Sequence, residues 1–110
     1  MPSKKLIAAS SEPIVLSILG HGESYGYAII QRVRAASDGS MEWTDGMLYP
    51  VLHRLERSGW IQSRWGVSDQ GRKRRYYRLT ASGKRELARQ RAEWEEVHGV
   101  LDALWGGSHV

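Results

Sequence analysis

Apolar residues recur at three- and four-residue spacing in four stretches of the chain and alternate in two short ones. The first helical stretch is "SEPIVLSILGHG". Ser11 is placed to cap it, and Pro13 suits a first turn. Ile14, Val15, Ile18 and Leu19 form one face, and Gly20 and Gly22 stop it. A start near Lys4 with a kink at Pro13 also fits. The second is "SYGYAIIQRVRAAS", with Ser24 as cap, Ile29, Ile30, Val33 and Ala36 at helical spacing, and Arg32 and Arg34 facing out. The third is "WTDGMLYPVLHRLERSG". Thr44 is the expected N-cap, Leu48, Val51, Leu52 and Leu55 make the buried stripe, and Gly59 sits where a left-handed C-cap is wanted. Pro50 conflicts with this pattern, since an interior proline costs about 3 kcal/mol. Either the regular helix starts late, near Gly46, or its first turn is distorted.

Two β-type runs follow, "WIQSRWG" and "RRYYRLT", joined by the turn-forming "VSDQGRK". Alternation turns Tyr77 and Leu79 inward and Tyr76 and Arg78 outward. The last stretch, residues 80–107, is a long helix capped by Thr80 or Ser82. Leu87, Trp94 and Leu101 recur every seven residues, with Gln90, Val97 and Leu104 between them, a short seam directed at a neighbour. Gly99 weakens its middle, and Gly106 and Gly107 end it. Helix, helix, helix, hairpin, long helix is the order of a winged helix-turn-helix. The expected fold class is α+β, mainly α: a DNA-binding domain over residues 1–80 and a C-terminal dimerisation helix over 81–110.

Charge sharpens this picture. Of the 16 basic residues, seven (Arg72, Lys73, Arg74, Arg75, Arg78, Lys84 and Arg85) fall within residues 70–85, where no acidic residue occurs. The remaining nine are outnumbered by the 12 acidic ones. One local cationic feature on a mildly acidic body suits docking to an anion. As a bare string "RKRR" also fits a nuclear localisation signal, but its place within a hairpin favours a wing that reaches phosphates. The chain has no cysteine, which fits a reducing cytoplasm. Its apolar runs fall short of a membrane span, and Glu12 and Pro13 interrupt the one stretch that resembles a signal peptide.

Enzymatic readings find little support. "GHGESYG" misplaces the third glycine of a dinucleotide-binding loop and lacks the second strand. His21, His53, His98 and His109 lie in separate segments without metal-ligand spacing. No G-x-S-x-G occurs, and no catalysis or cofactor is expected. On the third helix, 100° per residue turns Tyr49, Pro50, His53, Arg54 and Arg57 outward, with Gly46 and Met47 at its N-terminal end. A recognition helix enters the major groove by that end. Arg54 and His53 offer donors, Tyr49 a hydroxyl, and Gly46 close backbone approach. A solvated amphipathic face is the plain alternative, although such a face would hold more Glu and Lys.

These stretches together resemble the PadR family of bacterial winged-helix regulators over roughly residues 13–105. The carrying segments are "IVLSILGHGESYGYAII", "GMLYPVLHRLERSGWI" and "RRYYRLTASGKREL". The resemblance accommodates L-Y-P near the start of the recognition helix, which accounts for Pro50. Met47 stands where the family usually has Thr, and the single helix after the wing matches the family's shorter branch. The resemblance implies a homodimer through the first and last helices. It implies binding to double-stranded operator DNA, with recognition helices ~34 Å apart, and repression relieved by a small effector, in this family often a phenolic acid or a planar cationic drug. The expected DNA contacts are Tyr25, Thr44, Gly46, Met47, Tyr49, Pro50, His53, Arg54, Arg72, Lys73, Arg74 and Arg75. The expected dimer or effector surface is Ile14, Ile18, Leu87, Trp94, Val97, His98, Leu101 and Leu104. Trp94 fits simple dimer packing. It also fits an aromatic ligand held between two subunits' tryptophans, with His98 or Ser11 as polar partner. The rival functions are a protein-interaction module that docks the basic hairpin on an acidic partner, and a small-molecule binder.

Overall fold

The computed structural model describes residues 1–106; Gly107, read above as a helix stop, and His109 lie outside the described residues. Seven elements follow in order: α1 (Lys4–Gly20), β1 (Ser24–Tyr25), α2 (Gly26–Ala36), α3 (Asp45–Arg57), β2 (Ile61–Val67), β3 (Lys73–Leu79) and α4 (Ala81–Leu104). The three strands form one antiparallel sheet in the order β1-β3-β2. The core lies where α1, α2 and α3 meet the inner face of that sheet. Leu16, Ile29, Leu48, Leu52, Leu55 and Ile61 are sealed from solvent.

Two caps differ from expectation. α1 starts at Lys4, where the Ser3 hydroxyl accepts from the Leu6 N–H. Ser11 is buried mid-helix and turns its hydroxyl onto the Ala8 carbonyl, 3.2 Å away. The helix therefore runs through Pro13. Ser24 does not cap α2. It forms β1 with Tyr25, pairing with Tyr77 while Tyr25 pairs with Tyr76. The wing hairpin thus gains a third strand at its base, which a lone hairpin needs for stability.

α3 is as the pattern requires. The Thr44 hydroxyl accepts from the Met47 N–H at 3.3 Å, and the buried stripe is Leu48, Val51, Leu52 and Leu55. Pro50 lies within the continuous helix on its exposed side. Its missing N–H leaves the Gly46 carbonyl without an i+4 donor.

The hairpin is shorter at its tip than the sequence suggests. Val67 pairs with Lys73, so Lys73, Arg74 and Arg75 stand on a strand, and of the four consecutive cations only Arg72 belongs to the turn. Tyr77 and Leu79 point into the core and Arg78 outward, as alternation predicts.

α4 begins in a tight junction. The Thr80 hydroxyl accepts from the Gly83 N–H at 3.0 Å and donates to the Gly59 carbonyl at 2.6 Å. The Thr80 N–H bonds the Trp60 carbonyl at 3.0 Å. Leu87 and Gln90 correct the expected seam. Leu87 packs on the chain's own core, and a side chain on Gly20 would strike its Cδ2. Gln90 is buried and donates to Glu86 at 2.7 Å. The outward stripe begins only at Trp94 and includes Val97, Leu101 and Leu104, ending with the capping residue Trp105.

A Cβ on Gly83 would overlap the Trp60 carbonyl, with its carbon only 2.8 Å away. Gly83→Ala is expected to lower unfolding stability by about 2–3 kcal/mol. Gly99→Ala, at a helical position with open space around it, is expected to raise it by about 0.5–1 kcal/mol. Urea denaturation followed by circular dichroism measures both.

Candidate nucleic-acid interface

The outer side of α3 and the inner face of the wing bound an open cleft of about 660 Å³. Tyr49 and His53 line it from α3, Tyr25 and Gly26 from the start of α2, and Trp65 and Arg72 to Arg75 from the wing. The structure thus brings together seven of the twelve residues expected at DNA: Tyr25, Tyr49, His53 and the four wing cations. Thr44, Gly46, Pro50 and Arg54 are exposed on or beside α3. Met47 is half-buried against the core and serves packing.

Local packing sets the Tyr49 ring. A Cβ on Gly26 would overlap the Tyr49 hydroxyl, so the α2 backbone comes as close to this ring as a side chain would. Tyr25 stands edge-on to Tyr76, with ring centroids 5.7 Å apart. The Arg74 guanidinium lies 3.8 Å from the centroid of Tyr25. That stacking holds the guanidinium plane while leaving its edge N–H groups free to donate.

The cations divide into two groups. Among the described residues, Arg72, Lys73 and Arg74 have no carboxylate partner. Arg54 is paired with Glu12 of α1 at 3.3 Å, and Arg75 with Glu56 of α3 at 3.6 Å. Arg64, on the outer face of β2, makes a bidentate pair with Glu23 at 2.9 and 2.7 Å. The Arg64 hydrogen bond holds the Glu23 carboxyl below the usual range. Burial pushes the Tyr77 phenol up, so it stays neutral beneath the cleft.

Trp65 was not among the expected contacts. The residue is 60% exposed, opposite Arg75 in the strand pairing, with its ring centroid 5.3 Å from the Lys73 ammonium. The signal was present in the alternation Ile61, Ser63, Trp65, which puts the ring on the core-facing side of β2, beyond the end of the core.

A second concavity of about 510 Å³ lies between α1 and α2, lined mainly by apolar groups with His21 and Arg32 beside them. Ile14, Ile18 and Trp94 line it, and Ser10 takes the place foreseen for Ser11. Val97, His98, Leu101 and Leu104 lie farther along α4, exposed. Among the described residues no cluster of His, Asp or Glu could hold a metal, and no helix is long and apolar enough to cross a membrane.

Residues 15–89 match the model of the transcriptional regulator PadR-like family. An uncharacterized protein of Lysinibacillus sphaericus is 32% identical over 107 residues, which are 97% of this chain and 98% of that one. A transcriptional regulator of Mycobacterium tuberculosis is 45% identical over 65 residues, 59% of this chain and 58% of that one. Among solved structures, a transcriptional regulator from Clostridium thermocellum superimposes with a TM-score of 0.82 at 32% identity, covering 94% of this chain and 97% of its own. A PadR family regulator from Clostridium difficile gives 0.76 at 31%, covering 88% and 99%. By its sequence match and its fold alike, this chain belongs to the PadR-like family of transcriptional regulators.

Proposed function

We propose that the chain binds duplex operator DNA as a homodimer and represses transcription by occupying the promoter. The observation that carries this reading is the cleft between the outer side of α3 and the wing, which is lined by unpaired Arg72, Lys73 and Arg74. Cations without internal carboxylates keep their charge for phosphates, while Tyr49 and His53 offer donors beside them. Trp65 supplies apolar surface suited to sugar edges. The exposed stripe on α4 supports the homodimer: Leu104 and Trp105 are 76% and 75% exposed, an arrangement that a second copy would cover. The apolar groove that Trp94 helps to line supports a small aromatic effector.

The rival interaction-module reading predicts no retardation of DNA. We expect a duplex from the promoter of the chain's own gene to be retarded, with affinity falling steeply as salt rises. Alanine at Arg72, Lys73 and Arg74 together should reduce the slope of log K against log salt by about two to three. A slope equal to wild type would remove the wing from the interface.

Leu101→Glu with Leu104→Glu places charge in the α4 stripe, far from the core. We expect the doubly substituted chain to sediment as a folded monomer and to lose most of its operator affinity. A dimer that persists in analytical ultracentrifugation would move the subunit interface elsewhere.

A further inference from the structure

Arg75 and Glu56 are joined through a neutral hydroxyl. Arg75 Nε donates to Ser63 Oγ at 3.0 Å, and Ser63 Oγ donates to Glu56 Oε2 at 2.6 Å. Arg75 Nη2 lies 3.6 Å from the same carboxylate oxygen. Glu56 is in the last two turns of α3, Ser63 on β2 and Arg75 on β3. The relay is therefore a bridge from the recognition helix to both strands of the wing. Ser63 pairs with the buried Tyr77 in the strand register, and Arg75 lies two residues nearer the tip. From Arg75 toward the tip, the wing and α3 line the open cleft.

We propose that Glu56 and Ser63 are positioning residues for DNA binding. They hold the wing at a fixed angle to α3 and use Arg75 as a strut, so that Arg75 differs from Arg72, Lys73 and Arg74. This rests on the DNA-binding reading above. Its consequence runs against simple electrostatics, under which removing an acid beside a polyanion site tightens binding. Here an acid favours binding, because a wing free to swing must be ordered each time DNA binds.

Three variants separate these accounts. Glu56→Gln removes one negative charge, Ser63→Ala breaks the relay with no change in charge, and Ser63→Thr keeps a hydroxyl at a strand position. Binding to mixed-sequence duplex DNA at low salt is read by fluorescence anisotropy. We expect Glu56→Gln and Ser63→Ala each to weaken binding about fivefold, equivalent to about 1 kcal/mol, with an unchanged salt slope. Ser63→Thr should stay near wild type. Arg75→Ala should likewise weaken binding without changing the slope, and combining it with Glu56→Gln should add little. Tighter binding by Glu56→Gln, or a slope reduced by about one in Arg75→Ala, overturns the inference while leaving DNA binding intact. Absence of binding by the wild-type chain defeats the functional reading itself. A readout without DNA then decides the strut: amide hydrogen exchange across 63–75 should quicken in Ser63→Ala and Glu56→Gln at unchanged global stability, and wild-type rates in both would overturn it.

Discussion

The structure depends on the close contact between Gly83 and the backbone of Trp60. At this point the end of α3, the start of β2, the end of β3 and the start of α4 come within a few residues of one another. Gly59 takes a left-handed conformation, φ 78°, and turns the chain from α3 into β2. Thr80 then closes the knot with backbone and hydroxyl bonds to Trp60 and Gly59. No side chain fits between α4 and the Trp60 carbonyl. Both the direction of the wing and the direction of α4 are therefore set by one steric exclusion. The hydrophobic stripe of α3 supplies the stability, but this junction supplies the angles.

Those angles decide what the basic residues can do. A row of four cations would behave alike on an extended, solvated tip. On a paired strand they alternate, and their surroundings diverge. Arg74 lies over the Tyr25 ring, Arg75 is bridged to α3 through Ser63, and Lys73 stands beside Trp65. Arg54, the most obvious cation of α3, is engaged by Glu12. An exposed pair of this kind contributes little to stability, yet it biases where the guanidinium rests. Internal pairing thus sorts the cations by role more finely than their number suggests.

Much of this was legible in the sequence, because the relevant signals are local. The α3 stripe, the Thr44 cap, the Gly59 stop and the alternation at Tyr77 and Leu79 all follow from spacing and backbone preference. What was not legible depends on distant partners. β1 is two residues long and exists only because Tyr76 and Tyr77 offer a free edge; nothing in "SY" says so. Pro13 fitted either a first turn or the interior of a helix begun near Lys4, and spacing alone did not choose; the Ser3 cap places the start at Lys4. The heptad at Leu87 and Gln90 was a true periodicity with the wrong partner, since a helix that packs on its own domain shows the same spacing as one that packs on a neighbour. At the candidate interface the residue types were readable, and alternation pointed to Trp65, but the engagement of Arg75 required the strand register.

Gly20 links the two ends of the molecule for a related reason. Its lack of a side chain lets Leu87 of α4 settle against α1, and seven residues later Trp94 reaches the groove beside Ile14 and Ile18. α4 is thus anchored on the same helix, α1, whose Glu12 pairs with Arg54 of α3. α1 is the common wall of the groove, the core and the recognition helix.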